Sequence, residues 1–113
     1  EKPSAEGMGD SDKLVLSQPD ADLIDRIRKR SRKVVVIIIS GRPLVITDYI
    51  NMADAWVAAW LPGTEGQGIA DVIFGDVPFT GKTPFTWPAS MNQIPLGSSD
   101  GKPLFLFGFG IER

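Results

Sequence analysis

"KVVVIIIS", Lys33 to Ser40, decides the fold. Val34 to Ile39 are all β-branched and run on without the alternation of apolar and polar residues that marks a half-exposed strand. Such side chains lose rotamer freedom in a helix and pack well on a pleated surface, so the run predicts a strand covered on both faces, as in a parallel sheet. The residues before it predict a helix. Ser17 offers a hydroxyl N-cap, Pro19 sits in the first turn where its missing N–H costs nothing, and Asp20 follows three residues after the cap. Leu23, Ile24 and Ile27 make a narrow apolar stripe. Asp20, Asp22 and Asp25 come early while Arg26, Arg28, Lys29 and Arg30 come late, an order that suits the helix dipole.

Beyond the strand, Gly41-Arg42-Pro43 turns the chain and Leu44 to Met52 predicts a short helix. "AWVAAWL" within Ala53 to Leu61 reads as a second apolar strand with small residues that allow close approach, ended by Pro62-Gly63. Ile69 to Phe74 predicts a short apolar helix stopped by Gly75. "FTGKTPFTWPAS" and "PLFLFGFGIER" are rich in Pro, Gly and aromatics, which predicts edge strands and packed irregular tails. Helices alternating with buried strands give the expected class: α/β, an open and mostly parallel sheet with helices on both faces, a three-layer sandwich of which these residues form an incomplete part.

Composition narrows the function. The chain has 113 residues with 42% hydrophobic content, enough for one modest core and a single domain. A net charge of −2 provides no field of one sign for nucleic acid or an anionic membrane, and neither is expected as a partner. With no cysteine and no histidine, disulfides, thiolate metal sites, the commonest metal ligand and the commonest general base are all missing. Acid–base chemistry falls to carboxylates, and no metal or cofactor is expected. The longest apolar run, Val34 to Ile39, is far below the roughly 20 residues that cross a bilayer. A start at Glu1, inside a motif, suggests a fragment or processed product.

Several stretches invite a ligand. "RIRKRSRK", Arg26 to Lys33, resembles a phosphate patch, but the acids before it and the negative total favour the solvated end of a helix. "GTEGQG", Gly63 to Gly68, has the wrong glycine spacing for a dinucleotide loop, and Glu65 would repel phosphates, so structural glycines are the better reading. "GKT", Gly81 to Thr83, lacks the earlier glycine of a phosphate loop, where Asp76 stands, and Pro84 prevents the helix that loop needs. Ser4, Ser40 and Ser90 lack a histidine base and read as surface or turn serines. Trp56, Trp60 and Trp87 suit core packing better than sugar stacking. "PSAEGMGD", Pro3 to Asp10, has too few apolar residues to be anything but a loop; it holds Glu6 between Ala5 and Gly7, while Glu1, Asp10 and Asp12 read as solvated acids.

"EKPSAEGMGD" at Glu1 to Asp10, "ISGRPL" at Ile39 to Leu44, "AAWLPGTEGQGIADVIFGD" at Ala58 to Asp76, "FTGKTPFTWP" at Phe79 to Pro88 and "LFLFGFG" at Leu104 to Gly110 together resemble glycoside hydrolase family 3, in particular its plant-type β-D-glucan exohydrolases and β-glucosidases. The resemblance implies the later part of a C-terminal α/β sandwich domain, residues 1–113, with an N-terminal (β/α)8 barrel outside this chain. It also implies that Glu6 is the catalytic acid/base, on a loop reaching across a domain boundary to a β-glucan or β-glucoside, while the nucleophilic aspartate belongs to the barrel. A retaining glycosidase needs one carboxylate that attacks and one that donates and then retakes a proton. Ser4 departs from the pattern, since the family has an aromatic there. An extracellular or cell-wall location is implied for the parent enzyme. Two other classes remain: a nucleotide- or phosphate-binding module on "GTEGQG" or "GKT", and a non-catalytic interaction domain with exposed strand edges.

Overall fold

Ser17 caps the first helix in the computed structural model, which describes residues 11–95 and 101–111. Its Oγ accepts the Asp20 N–H at 3.3 Å and donates to Asp20 Oδ2 at 2.6 Å, and α1 runs over Gln18–Arg28. The inward side of α1 is set by Ala21 and Ile24, both buried. Leu23 and Ile27, expected in the apolar stripe, remain 45% and 42% exposed. Small Ala21, three residues before Ile24, shares its face, and this rotates the contact away from the bulkier pair.

Strand β1, Val35–Ile39, pairs in parallel with β2, Ala55–Trp60, and the register runs from Val35 opposite Ala55 to Ile38 opposite Ala58. It then slips, so that Ile39 faces Trp60. The parallel pairing matches the sequence; the expected cover on both faces does not. Val34 and Ile38 are buried at 5% and 7%, whereas Val35, Ile37 and Ile39 are 52%, 41% and 42% exposed. Alternate residues of a strand point to opposite faces, and these last three share the face that the described residues leave open.

The helix expected over Leu44 to Met52 is shorter and tighter. Val45 instead forms a parallel bridge with Val15, its N–H donating to the Leu14 carbonyl at 2.7 Å, and only Thr47–Met52 coils, as a 3-10 helix. β-Branched Val45 and Ile46 favour the extended form, and Leu14, Leu44 and Ile46 are buried there.

Asp54 joins the pieces. Its Oδ2 accepts from Arg28 Nη1 at 2.8 Å and from the Val34 N–H at 2.9 Å, and its Oδ1 accepts from Lys33 Nζ at 2.9 Å. The Asp54 N–H returns to the Val34 carbonyl at 2.8 Å. One carboxylate thereby ties the end of α1, the link after it and the starts of both strands. The basic stretch Arg26 to Lys33 is otherwise as expected: Lys29 pairs with Asp25 within the helix at 2.6 Å, and Arg26, Arg30 and Arg32 are exposed.

Residues 1–61 and 62–113 form two compact units. In the second, α2 covers Gly66–Phe74, beginning before the expected Ile69, and stops at Gly75, whose φ of 90° is a left-handed conformation that glycine adopts without strain. Trp87, 3% exposed, bridges antiparallel to Phe105 and meets its ring edge-on, and Phe105 stacks on Phe109 at 4.3 Å. Gln93, buried, holds the Ala89 N–H at 2.7 Å and the Lys102 carbonyl at 3.3 Å. Gly110 lies so near the backbone that a Cβ there would meet the Gly81 carbonyl oxygen at 2.5 Å.

The Asp54 carboxyl is held at about 2, below its ordinary 3.8, first by the Lys33 hydrogen bond and then by the Val34 N–H. A depressed carboxylate stabilises the fold fully above 3.8, and that contribution is lost as pH falls through about 2. Denaturant midpoints followed across this window should fall more steeply with acid for the native sequence than for Asp54→Asn, and the variant should be the less stable of the two at neutral pH.

Candidate active site

Glu6, together with Glu1, Ser4 and Asp10, lies outside the described residues. The described part of the first unit begins at Ser11. β1 and β2 run parallel, so their carboxyl ends lie side by side, with the Ser40 N–H donating to the Trp60 carbonyl at 3.1 Å. In open α/β sheets this end of the strands is where ligand sites are built. Trp60 has a φ of 55°, and the register slip leaves Ala59 without a counterpart on β1. A bulky residue in the left-handed region costs on the order of 1 kcal/mol or more, and such strain gathers at functional sites.

Ser40 is 1% exposed, so it is a turn serine as expected but not a surface one. Its Oγ donates to the Arg42 carbonyl at 2.6 Å and accepts the Arg42 N–H at 3.2 Å. With both roles of the hydroxyl engaged in shaping the turn, Ser40 is a poor nucleophile. The turn points Arg42 back along the chain, where Nη1 donates to the Ser11 carbonyl at 3.3 Å. Ser11 Oγ in turn accepts the Lys13 N–H at 3.0 Å. Asp12 is exposed, in line with a solvated acid.

The rival motifs are engaged in holding the second unit together. Lys82 Nζ donates to the Gly110 carbonyl at 2.8 Å, and Thr83 Oγ1 donates to the Leu106 carbonyl at 2.8 Å while accepting the Phe109 N–H at 3.0 Å. The Thr83 N–H and carbonyl bind Phe109 and Gly108. A phosphate loop needs its amine, hydroxyl and amides directed at the ligand and a helix behind them; here they clamp the 106–110 tail, and no helix follows directly. In "GTEGQG" the Pro62 carbonyl accepts the Glu65 N–H at 3.0 Å and Gly63 takes a φ of 60°, a turn glycine. Gly66 and Gly68 fall in the first turn of α2 with open space at a Cβ position.

The tryptophans divide. Trp87 is a core residue, while Trp56 and Trp60 are half-buried, with Trp56 Nε1 donating to the Ile50 carbonyl at 2.9 Å. Among the described residues no three His, Cys, Asp or Glu side chains gather as metal ligands, and no helix is long and apolar enough to cross a membrane. Asp54, Gln93 and the left-handed backbone of Trp60 went unseen in the sequence. The one available signal for Asp54 was an acid just before an apolar strand in a chain whose other strand follows a basic run.

The motif order read from the sequence now has an independent match. The family model described as "Glycosyl hydrolase family 3 C-terminal domain" matches residues 1–113. The chain belongs to glycosyl hydrolase family 3. A periplasmic β-glucosidase of Salmonella typhimurium is 38% identical across 74% of this chain and 11% of its own length. A β-xylosidase of Formosa agariphila is 35% identical across 92% of this chain and 17% of its own. The crystal structure of an exo-1,3/1,4-β-glucanase from a Pseudoalteromonas species superposes with a TM-score of 0.80 at 37% identity, covering 93% of this chain and 14% of that one. The chain therefore spans only a small part of the family 3 proteins it matches, and the superposition supports the α/β class read from the strand pattern.

Since Thr83 makes the largest set of bonds in the tail clamp, Thr83→Val should lower the unfolding free energy by about 1–2 kcal/mol. It should also speed hydrogen exchange at the Phe109 amide, while Mg-ATP added to the unaltered protein should leave its amide NMR shifts in place.

Proposed function

We propose that this chain is the acid/base-bearing segment of a retaining exo-acting β-glucosidase or β-glucan exohydrolase, and that Glu6 is the residue that cycles the proton. The observation that carries the reading is the family match over all of residues 1–113, which takes in Glu6 and its flanking motif. Relatives named β-glucosidase and exo-1,3/1,4-β-glucanase support a β-glucosyl substrate. The use of Lys82 and Thr83 to hold the tail weakens the phosphate-binding alternative.

In this reading the cleft is completed by a (β/α)8 barrel domain of the same polypeptide, which brings the nucleophile and most contacts to the sugar. The nucleophilic carboxylate attacks the anomeric carbon while protonated Glu6 donates to the departing glycosidic oxygen, so the bond to the leaving group breaks as the glycosyl–enzyme bond forms. Glu6, now ionised, takes a proton from the incoming water, whose oxygen displaces the nucleophile and frees a sugar of retained configuration. An environment that desolvates a glutamate or places it near another anion raises its pKa, and this lets one group serve as acid and then base. No metal or cofactor enters the scheme. The periplasmic location of the Salmonella relative supports a parent enzyme that works outside the cytosol, on extracellular or cell-wall glucans.

Glu6→Gln in the complete enzyme should lower kcat/KM for alkyl β-glucosides by about 10²–10⁴-fold. Aryl glucosides with good leaving groups should lose far less at the glycosylation step, and azide should restore turnover to Glu6→Ala with release of the β-glycosyl azide. Equal losses on both substrate types would remove Glu6 from the acid role.

A further inference from the structure

The basic stretch Arg26 to Lys33 takes no part in the acid/base scheme. It holds six arginines and lysines and no acid, and all six are exposed. Two carboxylates reach it: Asp54 binds Arg28 at 2.8 Å and Lys33 at 2.9 Å, and Asp25 binds Lys29 at 2.6 Å. Asp22, one helical turn before Arg26, is turned elsewhere, its Oδ1 accepting from Gln18 Nε2 at 2.8 Å. Arg26, Arg30 and Arg32 therefore have no ion pair and no side-chain hydrogen bond among the described residues. Arg26 sits in the last turn of α1, and Arg30 in the turn beyond the Lys29 cap, where its N–H donates to the Ile27 carbonyl at 3.0 Å. The carboxyl end of a helix offsets about half a unit charge. Dipole and acids together leave this surface cationic, in a chain whose total charge is −2.

We propose that the end of α1 and the link after it form a docking surface for a carboxylated polysaccharide, with Arg26, Arg30 and Arg32 as its contacts. Carboxylates suit the stretch, since the bases interleaved with these arginines already hold those of Asp25 and Asp54, and a guanidinium meets a carboxylate through two parallel N–H donors. Single-stranded nucleic acid is bound largely by stacking its bases on aromatic rings, and Arg26 to Lys33 contains none. A duplex or a bilayer presents a broad anionic face, which the net acidic remainder of the chain opposes; one flexible polymer strand meets the basic surface alone. The choice of a polysaccharide rests on the reading of the parent as a glucan hydrolase that works outside the cytosol. Exposed ion pairs are individually weak and screened by salt, so the polymer is held reversibly. A second attachment of this kind raises the local concentration of the enzyme at a neutral glucan lying among acidic strands.

The test measures binding of the complete enzyme to polygalacturonate by titration calorimetry. The polymer should bind, and its fully methyl-esterified form, which has the same backbone without the charge, should not. Raising salt from about 0.01 to about 0.15 M shortens the screening length from about 30 to about 8 Å and should weaken the affinity. The variant Arg26→Gln/Arg30→Gln/Arg32→Gln should bind about tenfold more weakly. Arg30→Gln/Arg32→Gln, both beyond the helix, should lose several-fold and carries the test if the triple variant fails to fold. Lys13→Gln/Lys102→Gln, which removes exposed bases elsewhere, should stay within about twofold of the unaltered enzyme. No binding to polygalacturonate, equal binding of the esterified polymer, or unchanged affinity in the arginine variants would overturn the proposal. Tighter binding to phosphatidylglycerol vesicles or to oligothymidylate would overturn it as well. Because binding is read without turnover, Glu6→Gln should bind the polymer as the unaltered enzyme does. Failure of the leaving-group test on Glu6→Gln with polymer binding intact would remove the acid/base reading alone, and absence of binding with that test passed would remove the docking surface alone.

Discussion

A single carboxylate, that of Asp54, aligns the end of α1 with the starts of β1 and β2, because parallel strands have no hairpin to set their register. Strands joined by a turn are aligned by the turn itself, whereas β1 and β2 are separated by a long crossover and need another device. Asp54 is that device. It receives the Val34 N–H at the start of one strand while its own N–H returns to Val34 from the start of the other, which leaves Val35 opposite Ala55 as the first pair. Arg28 and Lys33 bind the same carboxylate and bring the end of α1 to that point. Ion pairs this exposed contribute little individually, so the value of the arrangement lies in alignment more than in charge energy.

Alignment at the amino ends of the strands is felt at their carboxyl ends. A register that begins at Val35 and Ala55 delivers Ser40 beside Trp60, and the slip after Ile38 gives Trp60 its left-handed backbone. Ser40 is buried at this junction, and from it the Arg42 turn reaches Ser11. The two ends of one small sheet are thus closed differently, the first by the Asp54 carboxylate and the second by the Ser40–Arg42 turn.

In the second unit, residue types associated with ligand chemistry serve as internal fasteners. Lys82 and Thr83 bind main-chain carbonyls of a tail rich in glycine and aromatics, and the Phe105 ring there packs edge-on to Trp87 and stacks on Phe109. A short motif tells little about function until the partners of its polar atoms are known, since a carbonyl satisfies an amine as well as a phosphate does.

The capped start of α1, the β-branched run of β1, the glycine stop of α2 and the ordered motifs of family 3 were all legible in the sequence, because each depends on local conformational preference or on residues adjacent in the chain. Glu6 was singled out only through those motifs, since its sequence neighbours are a glycine-rich stretch with no packing pattern. Local preference misled at Leu23 and Ile27, at the helix expected from Leu44, and at the open face of β1, where burial was decided by which neighbours arrive from elsewhere. The Asp54 carboxylate's partners and the contact of Arg42 with Ser11 depended on tertiary structure. These partners lie from 20 to 31 residues away, and hydrogen bonding over such separations follows from the path of the backbone in space rather than from any spacing in the chain.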